Sequence, residues 1–529
     1  MKKTMRLFLK NRMLQHYHKV TIKRINIIAN NSIIPLRSGQ PPKKIIFNLI
    51  YGMYGRQVLF QVLLAKALQV RGHDVSVLLC DNALAFCTTE ETINRYHNDK
   101  NCEHCVSFSK DFFDAMKIPT LSFNDYISED EKTRYLEIFD YPYVIKEKEI
   151  FHDSVNIWEL SKCATDRYFI GQLHPNEDLY NNIFHKELVN SMISTKVVER
   201  LYESEKPDIL VTIHQAYSCW GAIFQYMKKQ GVNISTVNRG YLKNQVHVNP
   251  NLHNKINANY SKFVSQHHNN SLTSDESMEL EIYLDKRTTG KEGDTSEYDF
   301  TNKSPEGFIE PDKYKNTFVL YANLPWDASL IGEDSNIAFD GFYPWIDHNI
   351  DFFKKHQEHQ LIIKVHPARK ANRSINTVDE YINENFELSP NIKIIPPVTN
   401  ISPFSLFPYI TACLTYNGTI GLESAVQGKP TILVGNTHYR NKGFTHDIIT
   451  IPQYDKILLS SIKPLSDKQI QKARMYAYYH FIKKFHTLNL LINPKPFDHQ
   501  YVFKSFNDLG QGKNQGLDDI CDDILGVNS

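Results

Sequence analysis

The sequence predicts an α/β protein with two doubly wound parallel sheets. Three observations carry that expectation. Short apolar runs ending in Gly, His or Asn alternate with segments of helical period, the order that builds βαβ units and therefore parallel strands. The alternation occurs twice, over residues 43–274 and 316–465, with an acidic stretch between. The chain, at 529 residues with 41% hydrophobic and 12% aromatic side chains, has enough apolar surface for two cores at roughly 100–200 residues per domain.

Residues 1–42 read as a basic N-terminal segment. The first 73 residues carry 14 Lys and Arg and no acid before Asp74. Met5, Leu9, Met13 and Tyr17 recur every fourth position among Lys2, Lys3, Arg6, Lys10 and Arg12. That is the pattern of a basic amphipathic helix on an anionic membrane surface, and a frayed basic tail fits the same charge. In the first domain KKIIFNLIYG (43–52) is a buried strand closed by glycine, GRQVLFQVLLAKALQVRG (55–72) a helix, and DVSVLLCD (74–81) a second strand. After a less regular helical stretch at 120–204, DILVTIH (208–214), a helix over 222–229 and ISTVNRG (234–240) repeat the unit.

Residues 275–315 read as an acidic linker or insertion, since positions 275–313 hold 12 acids against 5 bases among Gly, Ser, Thr and Pro. The second domain comes next. TFVLYANLPWD (317–327) is a strand and loop, FYPWIDHNIDFFKKHQ (342–357) a helix, and HQLIIKVHP (359–367), NIKIIPP (391–397), ACLTYN (412–417) and KPTILVG (429–435) are strands, with a helix from Gly418 to about Gln427. Residues 466–529 read as a C-terminal helical segment.

Composition excludes several classes. With 60 Lys and Arg against 59 Asp and Glu, the net charge of +1 provides no basic excess for a nucleic-acid backbone. No apolar run approaches the roughly 18 residues of a membrane span. The N-terminal apolar run breaks at Lys10, too early for a secretory signal. The expectation is a cytoplasmic protein, soluble or peripheral on the inner face of the membrane.

Open parallel sheets bind ligands outside the carboxyl ends of their strands. Lys364-Val365-His366-Pro367-Ala368-Arg369 places three basic groups at one such end; alternation puts Lys364 and His366 on one side, and Pro367 stops the strand. An imidazole and a guanidinium there suit phosphate oxygens, although a strand-end turn with surface bases has the same sequence. Asn417, Gly418 and Thr419 stand where a strand passes to a helix, so backbone N–H groups and the Thr419 hydroxyl face an anion. Glu423, in the first helical turn, either accepts hydrogen bonds from a ribose or base or complements the helix dipole. Neither GxGxxG nor a Walker loop occurs.

Together KVHPAR (364–369), NGTIGLESAVQGKPTILVGNTHYRNKGFTHD (417–447) and, more loosely, YANLPWDASL (321–330) resemble the capsule polysaccharide biosynthesis family, bacterial surface-polysaccharide glycosyltransferases that include capsule Kdo transferases. The resemblance covers residues 317–450; the N-terminal half is similar only in architecture. It implies a GT-B-like fold of two Rossmann-like domains facing a cleft, with a nucleotide-sugar donor on the second and a glycan or lipid-linked glycan acceptor on the first. A strand-end His-Pro and a Ser or Thr at the helix start are shared with several CMP-sugar transferases, which implies a CMP-linked donor and makes His366 and Thr419 phosphate ligands. Where the family often has Ser-Ser or Ser-Thr, this chain has Tyr416-Asn417-Gly418-Thr419.

The chain contains no Asp-x-Asp, the metal motif of most GT-A glycosyltransferases. A donor site that needs no catalytic metal is then expected, with Lys364, His366, Arg369 and the helix N-terminus stabilising the leaving phosphate. His214, Asp327 and Asp81 are candidates for the base or nucleophile. His214 ends a strand and is otherwise a packed or capping histidine; Trp326 beside Asp327 offers a stacking face; Asp81 is otherwise a cap. Cys80, Cys87, Cys102 and Cys105 fall within 26 residues and close on a CxxC, a candidate structural zinc site, with a redox pair or buried thiols as the alternatives. Two other functions fit the chain: a CDP-glycerol-type polymer glycerophosphotransferase and a non-catalytic GT-B-like scaffold of a polysaccharide assembly complex.

Overall fold

The computed structural model describes residues 2–32, 41–50, 56–87, 101–138, 150–169, 177–242, 244–250, 260–267, 271–289, 305–310, 312–324, 336–366, 378–397, 399, 401–492 and 500–527. The chain divides into two compact units. The first comprises Met1–Tyr168, Asp178–Ile256 and Phe485–Ser529, the second Phe169–Glu177 and Asn257–Lys484.

In the first unit, strands β1 (Lys44–Asn48), β2 (Asp74–Leu79) and β3 (Thr120–Ser122) precede a small hairpin of β4 (Phe151–His152) and β5 (Val155–Asn156); β6 (Ile209–Thr212), β7 (Asn233–Arg239) and β8 (Gln245–Pro250) come after it. Together with β15 (His486–Thr487) the larger strands form a sheet of order β15-β8-β7-β6-β1-β2-β3. From β7 to β3 every pairing is parallel; β8 and β15 run antiparallel at the edge. Alternation along β1 sends Ile45 and Phe47 to one core, under the helices Arg56–Val70 and Asn101–Met116, and Ile46 to the other, under Glu177–Glu205 and Ser218–Lys229. A strand apolar on both faces is what two covering layers require.

In the second unit, β9 (Asn316–Tyr321), β10 (His359–Lys364), β11 (Ile392–Ile395), β12 (Ala412–Thr415), β13 (Thr431–Leu433) and β14 (His446–Asp447) form a sheet of order β11-β10-β9-β12-β13-β14, parallel throughout. Phe318 and Leu320 enter one core, Val319 and Tyr321 the other. Two Rossmann-like α/β units are therefore present.

Two segments differ from the sequence reading, and the basic N-terminus takes one of the two forms expected for it. The acidic stretch opens as the helix Ser274–Thr288, capped at Thr273, whose hydroxyl accepts from the Glu276 amide at 3.3 Å while the Thr273 amide donates to the Glu276 carboxylate at 2.9 Å. Leu280, Tyr283, Leu284 and Arg287, spaced i, i+3, i+4 and i+7, are buried in the second unit. Acidic composition concealed that stripe.

The C-terminal segment is not one helical block, because residues from Phe485 onward return to the first unit. They supply β15, the hairpin of β16 (Leu491–Ile492) and β17 (Gln500–Tyr501), and the helix Gln515–Leu525. Leu517, Ile520, Cys521 and Ile524 of that helix enter the first core, and Asp518 accepts from the buried Arg71 guanidinium at 2.6 Å.

The basic N-terminus is a helix, Lys2–Asn30. Its later turns are docked: Ile25 and Ala29 are buried, Tyr17 stacks on Phe108 with centroids 6.1 Å apart, and His18 meets Asp111 at 2.9 Å. The side chains of Met5, Leu9 and Met13 lie outside the described residues. Among the described residues no helix is long and apolar enough to cross a membrane.

Candidate functional site

The second sheet reverses direction of strand order between β9 and β12, the first and fourth strands of the unit, and the carboxyl ends on either side of such a reversal form a crevice. Asn323, two residues past β9, and Asn417, two past β12, meet there, the Asn323 amide donating to the Asn417 side-chain oxygen at 2.6 Å. Gly418 donates its amide to Thr415 Oγ1 at 3.1 Å, which bends the chain out of β12. Thr419 begins the short helix Ile420–Val426 and makes no side-chain capping bond, so its hydroxyl is not committed to the helix.

Glycine is required at 421: a Cβ there would stand 2.4 Å from the Tyr439 hydroxyl. That hydroxyl donates to the Gly418 carbonyl at 2.6 Å and ties the loop after β13 to the loop after β12.

Lys364 is the last residue of β10 and is 3% exposed. Burial pulls its pKa down to about 8, so the ammonium is held in a site that favours either its loss or a bound anion. His366, two residues on, is half-buried. Five predicted donor residues, Lys364, His366, Asn417, Gly418 and Thr419, thus lie at the carboxyl ends of β10 and β12, on the two strands flanking β9. Arg369 and Asp327, with Trp326, lie outside the described residues.

Glu423 has a partner that the sequence reading missed. Its carboxylate accepts from Arg287 Nε, both residues being buried, and the guanidinium stands 5.3 Å from the Phe481 ring centroid. The pair forms part of the wall of a cavity of ≈ 560 Å³ lined also by Ser402, Phe404, Ser405 and Lys429. No local signal pointed to Arg287, because it sits in the acidic stretch and reaches Glu423 across 136 positions.

In the first unit His214 lies just past β6. It is half-buried, with Tyr217 and Trp220 rings edge-on at 5.3 and 5.4 Å. Burial, and secondarily Arg167, pulls its pKa down to about 4, so the ring is neutral at pH 7 and a weak base. Tyr217, which precedes the helix Ser218–Lys229, has φ 70 and ψ 159, a region other residues leave to glycine. Ser218 then donates to the buried Glu187 carboxylate at 2.6 Å, which Asn190 reaches at 3.3 Å. Glu187 went unread because helical periodicity hides one polar residue on an inward face.

Asp81 ties the turn after β2 to the end of β3: its carboxylate accepts from Ser122 Oγ at 2.9 Å, and its carbonyl from the Asn124 side chain at 2.7 Å. The cysteines of the cluster are neighbours, since Cys80 feels both Cys105 and Cys87. Among the described residues no three His, Cys, Asp or Glu side chains are grouped to hold a metal ion. All eight cysteines are thiols; burial raises the pKa of Cys80, and Cys102 donates to Asn82 at 3.0 Å.

No curated protein matches the chain. Among solved structures, the Thermosulfurimonas dismutans KpsC β-Kdo 2,4 transferase is 16% identical, with a TM-score of 0.36 over 58% of this chain and 88% of that one. The 2,7 transferase of the same organism's KpsC is 13% identical, at 0.30 over 63% and 90%. The UDP-GlcNAc 2-epimerase of Neisseria meningitidis is 11% identical, at 0.21 over 83% and 99%. The family model described as capsule polysaccharide biosynthesis protein matches residues 310–477, the stretch that contains KVHPAR and residues 417–447, so the resemblance carried by those motifs holds.

Proposed function

We propose that the protein is a glycosyltransferase of surface polysaccharide biosynthesis that takes a sugar from a nucleotide-linked donor, CMP-linked in this reading, and passes it to a glycan or lipid-linked glycan acceptor without a catalytic metal. The observation that carries the reading is the convergence, in the family-matched stretch, of Lys364, His366 and the Asn417-Gly418-Thr419 loop at the strand-order reversal of a parallel sheet. Lys364 and His366 balance the phosphate of the donor, and the backbone amides and the Thr419 hydroxyl donate to its oxygens. The neighbouring cavity of ≈ 560 Å³ has the size of a small-ligand pocket and an aromatic wall in Phe404, which suits the base; the ion pair of Arg287 with Glu423 fixes its floor. As charge builds on the leaving phosphate, fixed cations stabilise it in place of a metal.

Acceptor binding belongs to the first unit in this reading, at the carboxyl ends of β1 and β6, where neutral His214 and the rings of Tyr217 and Trp220 suit an uncharged sugar. The basic helix Lys2–Asn30 is proposed to hold the protein on the inner face of the membrane through its first turns, in the cytoplasm. A thermal-shift panel of CMP, CDP, UDP and GDP tests the donor class, since a ligand that binds only the folded state raises stability by RT ln(1 + [L]/Kd). A CMP-specific rise supports the reading; no rise with any of the four rejects it.

A further inference from the structure

The N-terminal helix Lys2–Asn30 keeps a basic and partly apolar side exposed in the first unit. Residues 1–73 contain no Asp or Glu, so no acid on the helix itself balances its cations. Its last turn is fixed against the C-terminal part of the same unit: Ser32 Oγ accepts from the Phe506 amide at 2.8 Å, and the Asn31 side chain donates to the Lys504 carbonyl at 3.4 Å. Where the helix meets the β16–β17 hairpin there is a cavity of ≈ 270 Å³, lined by Thr21, Arg24, Ile25, Ile28, Gln500 and Tyr501.

The lining is amphiphilic. Ile25 is buried and Ile28 half-buried, and with Tyr501 they make an apolar wall, whereas Arg24 and Gln500 are exposed at the rim. Among the described residues no carboxylate pairs with the Arg24 guanidinium or with the ammonium of Lys504 on the hairpin side. Asp508, the acid of the adjoining turn, accepts instead from the amides of Lys504 and Ser505 at 3.0 and 3.1 Å.

Helical spacing sets Val20, Arg24 and Ile27 on one side, at i, i+4 and i+7, and Ile27 is 53% exposed there. Lys19, also exposed, is five positions before Arg24 and falls on another side. An unpaired arginine at the mouth of an apolar-walled cavity, with an exposed isoleucine one turn on, matches the chemistry of a phospholipid. The guanidinium fork takes phosphate oxygens in pairs, and the isoleucine enters the boundary of the acyl chains.

We propose that this cavity receives the phosphate headgroup of an anionic membrane lipid, with Arg24 as its bidentate partner and Ile27 inserted beside it. The helix then grips the bilayer at a built site as well as through diffuse charge. This rests on the reading that the helix lies on the membrane, and it names the lipid group held there.

The experiment is co-sedimentation of the full chain with vesicles of phosphatidylcholine alone and of equal parts phosphatidylcholine and phosphatidylglycerol. Binding to the anionic vesicles only is expected. Arg24→Gln should weaken it about tenfold or more, as loss of a charge-assisted pair does. Lys19→Gln removes the same charge from another side of the helix and should cost no more than about fivefold, the value of one basic residue near an anionic surface. Arg24→Lys keeps the charge and loses the fork, so it should fall with Arg24→Gln and not with the parent. Ile28→Trp fills the cavity without altering charge and should weaken binding too; Arg24 is exposed, so its variants carry the test should Ile28→Trp fail to fold. Equal affinity in the parent and Arg24→Lys, or a loss in Arg24→Gln no larger than in Lys19→Gln, overturns the headgroup site. If a variant combining Lys2→Gln, Arg6→Gln and Lys10→Gln then still loses binding, the membrane reading stands without it. Binding of soluble glycerol phosphate as tight as that of the vesicles would assign a soluble ligand and overturn the lipid as occupant, and no binding of the parent to either vesicle overturns both readings.

Discussion

The two sheets share a strand order and differ in charge on the strands beside their central pairs. Each runs third, second, first, fourth, fifth strand, and each joins its central pair with an asparagine: Asn48, ending β1, donates to Thr212 of β6 at 3.3 Å, and Asn323, after β9, donates to Asn417, after β12, at 2.6 Å. Beside the first pair stands His214, held neutral by burial among aromatic rings. Beside the second stands Lys364, a buried cation ending the adjacent strand. Topology places a crevice in both units; in the proposed function the side chains at the rim suit one to an uncharged ligand and the other to an anion.

Breaking the ion pair is the strongest way to test the second side of this comparison. Glu423→Ala leaves the buried Arg287 guanidinium without its carboxylate and should cost about 3–5 kcal/mol, the usual penalty for an uncompensated buried charge. Scanning calorimetry should show that loss, and a variant as stable as the parent would mean that the pair contributes nothing to the second unit.

The first unit has its own dependence. A chain starting at Gly39 removes Ile25, Ala29 and the Tyr17 ring from its core, worth about 2–4 kcal/mol at the usual value of buried apolar surface. A denaturant midpoint unchanged by the truncation would show that the N-terminal helix is not part of the fold.

At the rim of the second sheet, Lys364→Met should weaken nucleotide binding about ten- to a hundredfold, as loss of one charge-assisted bond does. The pH dependence comes from the depressed pKa. Between about 8 and the ordinary 10.5 the unfolded chain binds the proton that the folded site releases, so the stability of the unliganded protein from this group rises with pH across that window. Nucleotide affinity, which uses the ammonium, should fall over the same range. Isothermal titration from pH 7 to 10 would contradict the assignment if the parent and Lys364→Met declined in parallel.

His214→Gln should have the smallest effect. With its ring titrating near 4, His214 imposes no ionisation step between pH 6 and 8, so the pH–rate profiles of parent and variant should share their shape there and nucleotide affinity should be equal. A limb near pH 6.5 that vanishes in the variant would show that His214 is the working base.

Strands were legible because parallel strands covered on both faces are continuous apolar runs, as in KIIFN of β1 and HQLIIK of β10. Lys364, His366 and residues 417–419 were legible because their positions are set by where a strand ends. Arg287 and Glu187 were not, since each is one polar residue in a helix and its role depends on a partner remote in sequence.

By itself the sequence determined the central strands of both sheets, that two α/β units exist, and which basic residues end up at strand ends, because periodicity of 2 or 3.6 and the position of a strand terminus are properties of a local window. Only the tertiary structure decided that the acidic stretch supplies a buried arginine to Glu423 and that residues from Phe485 onward complete the first sheet. Each of these depends on residues far apart in the chain, and they are brought together by the burial of apolar faces across the whole unit, which no local window contains.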